Sequence, residues 1–214
     1  MVSPGSQPLY TIAEYLVLER ASEERREYLD GRVCPMAGES PEHDAIFINL
    51  SVLIGSQLRG TSSQVFTRDT KVRSGPTPRP GHPMKSLFAY PNLFVLGDDP
   101  QFHGSYRDVI LNPALIVEVL SAATEAFDRG EKFRRYRTWL PSLVDYLLVA
   151  QDEPLIDHYH LVDVNRWELV YVEGLEADLL LESFNCTLSL AEVYDRIVFP
   201  PEVPELVRVP PEHR

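Results

Sequence analysis

Only two cysteines and three lysines occur among the 214 residues. Cys34 and Cys186 stand far apart with no CxxC spacing, so the pattern excludes a zinc framework and a disulfide scaffold and fits reduced thiols. No run of about 18 apolar residues occurs, and the start MVSPGSQPLYTIAEY has neither a basic nor an apolar targeting region. The expectation is a cytoplasmic protein with no membrane span. A glycine-rich phosphate loop, a GxSxG elbow and an HExxH helix are all missing, which argues against nucleotide hydrolase, esterase and zinc-protease chemistry. Cations are also scarce. With 32 acidic against 20 basic residues the net charge is −12, an unfavourable global field for nucleic acid. A polyanion partner would need a local basic patch. The candidate is the run Arg129, Lys132, Arg134, Arg135 and Arg137, with a solvated helix face as the alternative.

Hydrophobic residues make up 44% of the chain and charged residues 24%, which suits one packed core at this length. Residues 1–9 and 199–214, poor in periodic apolar positions and rich in proline with serine or glutamate, read as flexible tails around a single domain, 10–198. Thr11 with Glu14 forms a capping box that opens a short helix. Asp30-Gly31 marks a hairpin between Glu27–Leu29 and Arg32–Met36. Ser40-Pro41 opens a longer helix to about Arg59 with the stripe Ile46, Leu50, Leu53, Gln57 and Leu58. Val65–Arg73, Leu87–Leu96 and Ala114–Leu120 read as strands, with a loop over the proline-rich stretch 74–83. A helix capped by Thr124 follows to Trp139. Three strands come next, Asp145–Ala150, Leu155–Val162 and Trp167–Val172, and Ser189 with Glu192 caps a short closing helix. The pattern predicts a mixed α/β (α+β) fold, a mixed sheet flanked by helices.

Within Ala114–Leu120 a single ionisable group, Glu118, lies in a run typical of strands buried on both faces. A buried carboxylate costs several kcal/mol unless it is protonated, paired or bound to a metal, so an ion pair and a functional site stand level at this point. Lys132 is the candidate cation, because Asp128, Lys132 and Tyr136 share a helix face at i, i+4 and i+8; the alternative is an exposed Asp128–Lys132 pair. His43 lies in the first turn of its helix on the face of Ile46 and Leu50 and points inward, as a satisfied core or capping histidine also would. Glu27 precedes the Asp-Gly turn, where an exposed hairpin charge is the default reading. His158 and His160 fall on one side of a strand, a weak zinc signal that needs a third ligand.

The segments Tyr10–Leu16, Glu27–Gly31, His43, Tyr90-Pro91-Asn92, Val117–Ser121 and Asp128 through Lys132 to Tyr136 together resemble the Uma-two family of restriction-endonuclease-like proteins, in the PD-(D/E)xK nuclease superfamily. The resemblance spans about Tyr10 to Val198. It implies a restriction-endonuclease-like mixed sheet flanked by helices, and a divalent-metal-dependent endonuclease that hydrolyses phosphodiester bonds in DNA. It also implies Glu27, Asn92 and Glu118 as ligands of Mg²⁺ or Mn²⁺, with Lys132, Glu118 and His43 as catalytic residues and the Val119 carbonyl as a further ligand. Two departures stand out. Asn92 replaces the superfamily's aspartate, and Leu120 stands where many members carry lysine, which leaves that role to Lys132. The alternative function is a catalytically impaired nuclease fold acting as a nucleic-acid or protein-binding module, and a third reading is a structural Glu118–Lys132 pair. A homodimer is expected from base rates alone.

Overall fold

The computed structural model describes residues 8–36, 38–77 and 85–200, so most of the expected tails and of the proline-rich stretch lies outside the described residues. Helix α1, Ile12–Arg20, opens on the Thr11–Glu14 capping box, with both reciprocal hydrogen bonds present. Strands β1 (Arg26–Leu29) and β2 (Arg32–Pro35) form the expected hairpin. Its turn residues Asp30 and Gly31 have φ of 49° and 94°, the positive values that favour an Asp-Gly pair. Helix α2, Pro41–Gln57, is capped by the Ser40 hydroxyl, which accepts from the His43 N–H at 3.1 Å.

The expected strand 65–73 is two strands, β3 (Gln64–Thr67) and β4 (Lys71–Ser74), and 87–96 is likewise β5 (Leu87–Ala89) and β6 (Leu93–Leu96). These four form one long antiparallel hairpin that bends sharply. The β3–β6 arm lies in one sheet and the β4–β5 arm in another, and the register slips by one residue between them. At the bend Thr70 N–H bonds Thr67 C=O in a turn, while Pro91 on the opposite strand has no N–H to give a ladder. The polar run Thr67–Lys71 and the Pro91-Asn92 pair mark this bend in the sequence, although the apolar runs on either side of each read as one strand.

Beyond the hairpin come β7 (Val109–Ile110), β8 (Leu115–Val119), a helical segment 125–139 labelled α3, β9 (Asp145–Val149), β10 (Leu155–Asp163) and β11 (Arg166–Glu173). The chain closes with a small hairpin, β12 (Asp178–Leu181) and β13 (Cys186–Ser189), and helix α4 (Leu190–Val193). Two caps differ from expectation. Thr124 bonds the Ser121 hydroxyl at 3.0 Å instead of a helix N–H, and the Ser189 side chain makes no capping bond.

A five-stranded sheet runs β2-β1-β5-β4-β7 and a six-stranded sheet β11-β10-β9-β8-β6-β3; β8–β9 and β4–β7 are the parallel pairs. One face of the larger sheet, including Leu115, Val117, Val119, Leu147 and Val149, packs against Ile46, Leu50 and Ile54 of α2 and against β12, β13 and α4. Gln57 fastens that layer, since its side-chain amide exchanges hydrogen bonds of 2.7 and 2.9 Å with the backbone of Thr187. The opposite face, including Phe94, Ile116 and Leu148, packs against Phe133 and Tyr136 of α3, Leu140 just after it, and β4 and β5. Helix α1 covers the smaller sheet through Tyr15, Leu16, Tyr28 and Phe88. Ile116→Ala should cost about 2–5 kcal/mol because its site is enclosed on all sides. In the same denaturant titration Val52→Ala, at a position 63% exposed on α2, should stay within about 0.5 kcal/mol of wild type.

Candidate active site

Strand β8 alternates between the two layers, so Leu115, Val117 and Val119 face α2 while Ile116 and Glu118 face α3. Glu118 is 3% exposed. Over it stands Lys132, whose Nζ lies 2.9 Å from Glu118 Oε1, 3.0 Å from Asp128 Oδ1 and 3.9 Å from Glu27 Oε1. The Asp128–Lys132 pair is therefore buried, not the exposed helix pair that its spacing also allowed. Asp128–Lys132 is a single π-turn inside α3, a local widening common at functional sites. The Asp128 carbonyl accepts from the Tyr146 hydroxyl at 3.0 Å, which ties this turn to β9.

Asn92 and His43 act on the neighbouring residue of the strand. Asn92 Oδ1 accepts from the Val119 N–H at 2.8 Å, and His43 Nε2 donates to the Val119 carbonyl at 3.1 Å. Both groups expected at a metal, the Asn92 oxygen and the Val119 carbonyl, are thus engaged in holding β8. Asn92 Nδ2 lies 3.4 Å from Glu39 Oε1, and Glu39 and Asp44 are bridged by Arg68. Glu27 Oε1 accepts from the Tyr90 N–H at 3.3 Å, which joins β1 to the bend of the long hairpin. Glu27, Glu39, His43, Asn92, Glu118 and Lys132 all line one cavity of about 420 Å³.

Three carboxylates facing one ammonium leave a surplus of two negative charges. Burial, opposed by Lys132 and reinforced by Asp128 and Glu27, pushes the Glu118 carboxyl up to about 8. Burial also disfavours the Lys132 ammonium, but Glu118, Asp128 and Glu27 outweigh it and hold that group well above its ordinary value. His43 is held neutral to lower pH than usual, mainly by burial. The site thus retains a proton on Glu118 or accepts a further cation.

Among the described residues the groups whose metal-binding atoms already converge are Asp145–His158–His160 and Glu39–His43–Asp44. Glu27, Glu118 and Asp128 share the Lys132 ammonium instead. The basic run of α3 is also engaged. Arg129 pairs with Glu125 and Asp157, Arg134 with Glu131, and Arg135 with Asp30 and Glu131, while Arg137 lies over the Phe133 ring.

Residues 12–191 match the model of a protein family, Uma2, described as "Putative restriction endonuclease". The chain belongs to the Uma2 family. Similar relatives include two uncharacterized proteins of Synechocystis sp.. One, sll1609, is 31% identical over 84% of this chain and 96% of its own length, and the other, slr1290, is 33% identical over 90% and 95%. Among solved structures, a "putative nuclease belonging to DUF820" from Anabaena variabilis aligns with a TM-score of 0.68 at 16% identity, covering 88% of this chain and 99% of that one. That likeness shows a shared nuclease-type fold, with mixed sheets flanked by helices.

Sequence reasoning on this Uma2 chain overlooked Asp128 as a site carboxylate and Glu39 as the acceptor beside Asn92. Asp128 was visible as the i−4 partner of Lys132, whereas Glu39, just before the helix cap, carried no periodic signal. The raised Glu118 value has a consequence for stability. Below the ordinary carboxyl value of 4.5 both folded and unfolded chains hold the proton and the contribution is fully present; it is lost as pH rises to about 8, because only the unfolded chain ionises there. In urea titrations with a chelator, Glu118→Gln should therefore gain stability relative to wild type across that interval and run parallel to it above.

Proposed function

We propose that this protein is a divalent-metal-dependent endonuclease acting on DNA, with Glu27, Asp128 and Glu118 as the acidic set and Lys132 beside the reacting water. The observation that carries this reading is the cavity in which three carboxylates face a single buried ammonium. Hard cations such as Mg²⁺ and Mn²⁺ take carboxylate oxygens, and this donor set fits one. Glu118 Oε1 and Asp128 Oδ1 are buried and make no hydrogen bond of good geometry, having only the Lys132 charge nearby. When bound, the metal would neutralise charge on the phosphate and make a water more acidic.

The remaining work falls to the chain. Glu118 and Glu27, from different sheets, set the width of the acidic cleft. Lys132, kept protonated by its carboxylates, donates to a water or to a phosphate oxygen and stabilises negative charge that grows during attack. Asn92 and His43 are positioning residues: they grip the N–H and the carbonyl of Val119 and so fix the orientation of the Glu118 side chain one residue earlier. Asn92→Asp would keep the acceptor for Val119 N–H and set a second carboxylate against Glu39, which raises the demand for a cation.

A binding module with the same fold is the competing reading, favoured by the neutral Asn92 whose oxygen is already used by the backbone. Plasmid and single-stranded DNA cleavage with Mg²⁺, Mn²⁺ or chelator separates the two, run beside calorimetric metal titration. Wild type should cleave only with a metal, and Glu118→Gln and Lys132→Met should each lose at least about 100-fold. Cleavage appearing only in Asn92→Asp, or DNA retained without metal by every variant and cut by none, would establish the binding module instead. Indistinguishable metal titrations for wild type, Asn92→Asp and Glu118→Gln would remove the metal site altogether.

A further inference from the structure

On the face of the larger sheet away from Glu118 lies a second group of ligand-type side chains. Strand β10 pairs with β9 so that His160 stands directly opposite Asp145, and His158 opposite Leu147, on one face. Neither histidine lies on an edge strand, because β11 covers the far side of β10. His158 Nε2 and His160 Nδ1 both lie 2.7 Å from the same oxygen, Asp145 Oδ1. Asp145 is fully buried, and its other oxygen, Oδ2, has no hydrogen-bond partner. The parallel register β8–β9 sets Asp145 beside Leu115 and Leu148 beside Glu118. Asp145 is therefore three residues along from the level of Glu118 and faces the opposite layer, which separates this group from the nuclease-type cavity.

We propose that Asp145, His158 and His160 form a second metal site, one that takes a borderline transition ion such as Zn²⁺ in preference to Mg²⁺. Two imidazole nitrogens and one carboxylate oxygen are the donor set of an open zinc site, and hard ions prefer oxygen alone. Zinc bonds of about 2.0–2.2 Å in a tetrahedron set ligand atoms roughly 3.3 Å apart, so each ring nitrogen need draw back by only about 0.6 Å from Asp145 Oδ1, and all three ligand atoms already lie within 4.8 Å of one another. Binding takes each imidazole in the tautomer that leaves the nitrogen beside Asp145 free for the ion and carries the proton on the other ring nitrogen. The ion enters past His160, whose side chain is 32% exposed while that of His158 is 9% exposed. Glu168 stands opposite His160 on β11 and shares its face. The site joins β9 to β10.

The test uses the full chain without an affinity tag, stripped with chelator and titrated calorimetrically with Zn²⁺ in excess Mg²⁺, with Co²⁺ absorption as a second readout. Wild type and Glu118→Gln should each bind one equivalent of Zn²⁺, and His158→Gln and His160→Gln should bind it at least about 100-fold more weakly, beyond the effect of losing a supporting partner alone. Zn²⁺ should raise the Tm of wild type and leave that of His160→Gln unchanged. A chain that binds no Zn²⁺ equivalent, keeps its affinity in both histidine variants, or loses it in Glu118→Gln overturns the proposal. Should the variants fail to fold, wild type alone decides: the ring-nitrogen NMR signals of two histidines shift on Zn²⁺ addition if the site is real and stay fixed if it is not.

Discussion

Lys132 faces Glu118, Asp128 and Glu27 at once, and its ammonium neutralises only part of their charge. Much of the surrounding architecture follows from this imbalance. A buried ion pair is seldom a net source of stability, and removing one partner typically costs about 3–5 kcal/mol because the remaining charge stays stranded. Here the stranded charge would be a cluster of carboxylates, so the position demands a cation whatever else the protein does. The π-turn at Asp128–Lys132 brings both members of the i, i+4 pair to the same buried point, and the Tyr146 hydroxyl fastens that turn to the sheet.

The second determinant is the bend in the long hairpin. Because β3–β4 and β5–β6 each cross from one sheet to the other, Tyr90, Pro91 and Asn92 stand where the two sheets part. The Tyr90 N–H reaches Glu27 on the small sheet, and the Asn92 side chain reaches Val119 on the large one. One tripeptide thus sets the distance between two carboxylates that come from different parts of the chain.

Much of this was legible in the sequence. Glu118 stood out because an apolar strand has no reason to carry a charge, and Lys132 followed from helical spacing after that strand. The Asp-Gly hairpin, the Thr11 and Ser40 caps and the burial of His43 were all readable from local chemistry. What escaped was non-local. Two strand patterns concealed a bend, since the apolar runs on either side of Thr67–Lys71 and of Pro91-Asn92 read as single strands. The basic run of α3 read as a candidate phosphate-binding face, yet its arginines meet Glu125, Asp157, Glu131 and Asp30, partners that only tertiary structure reveals. Asn92 was expected at a metal, and spacing could not foretell that its oxygen would meet the Val119 N–H. The third member of the His158–His160 group, Asp145, likewise lies on a different strand and was invisible to motif reading.

Because the acidic cleft is assembled from the small sheet, the large sheet and a helix, its geometry depends on how these bodies sit against one another and not on any of them alone. Opening at the bend would also part β4 and β5 from the face of the large sheet on which they pack, so the apolar core shared by the two sheets is what keeps the carboxylates in place. On heating, then, the alignment of Glu27 with Glu118 should persist until that shared core opens. Its useful temperature range would be set by the seam between two sheets, which neither sheet can provide alone.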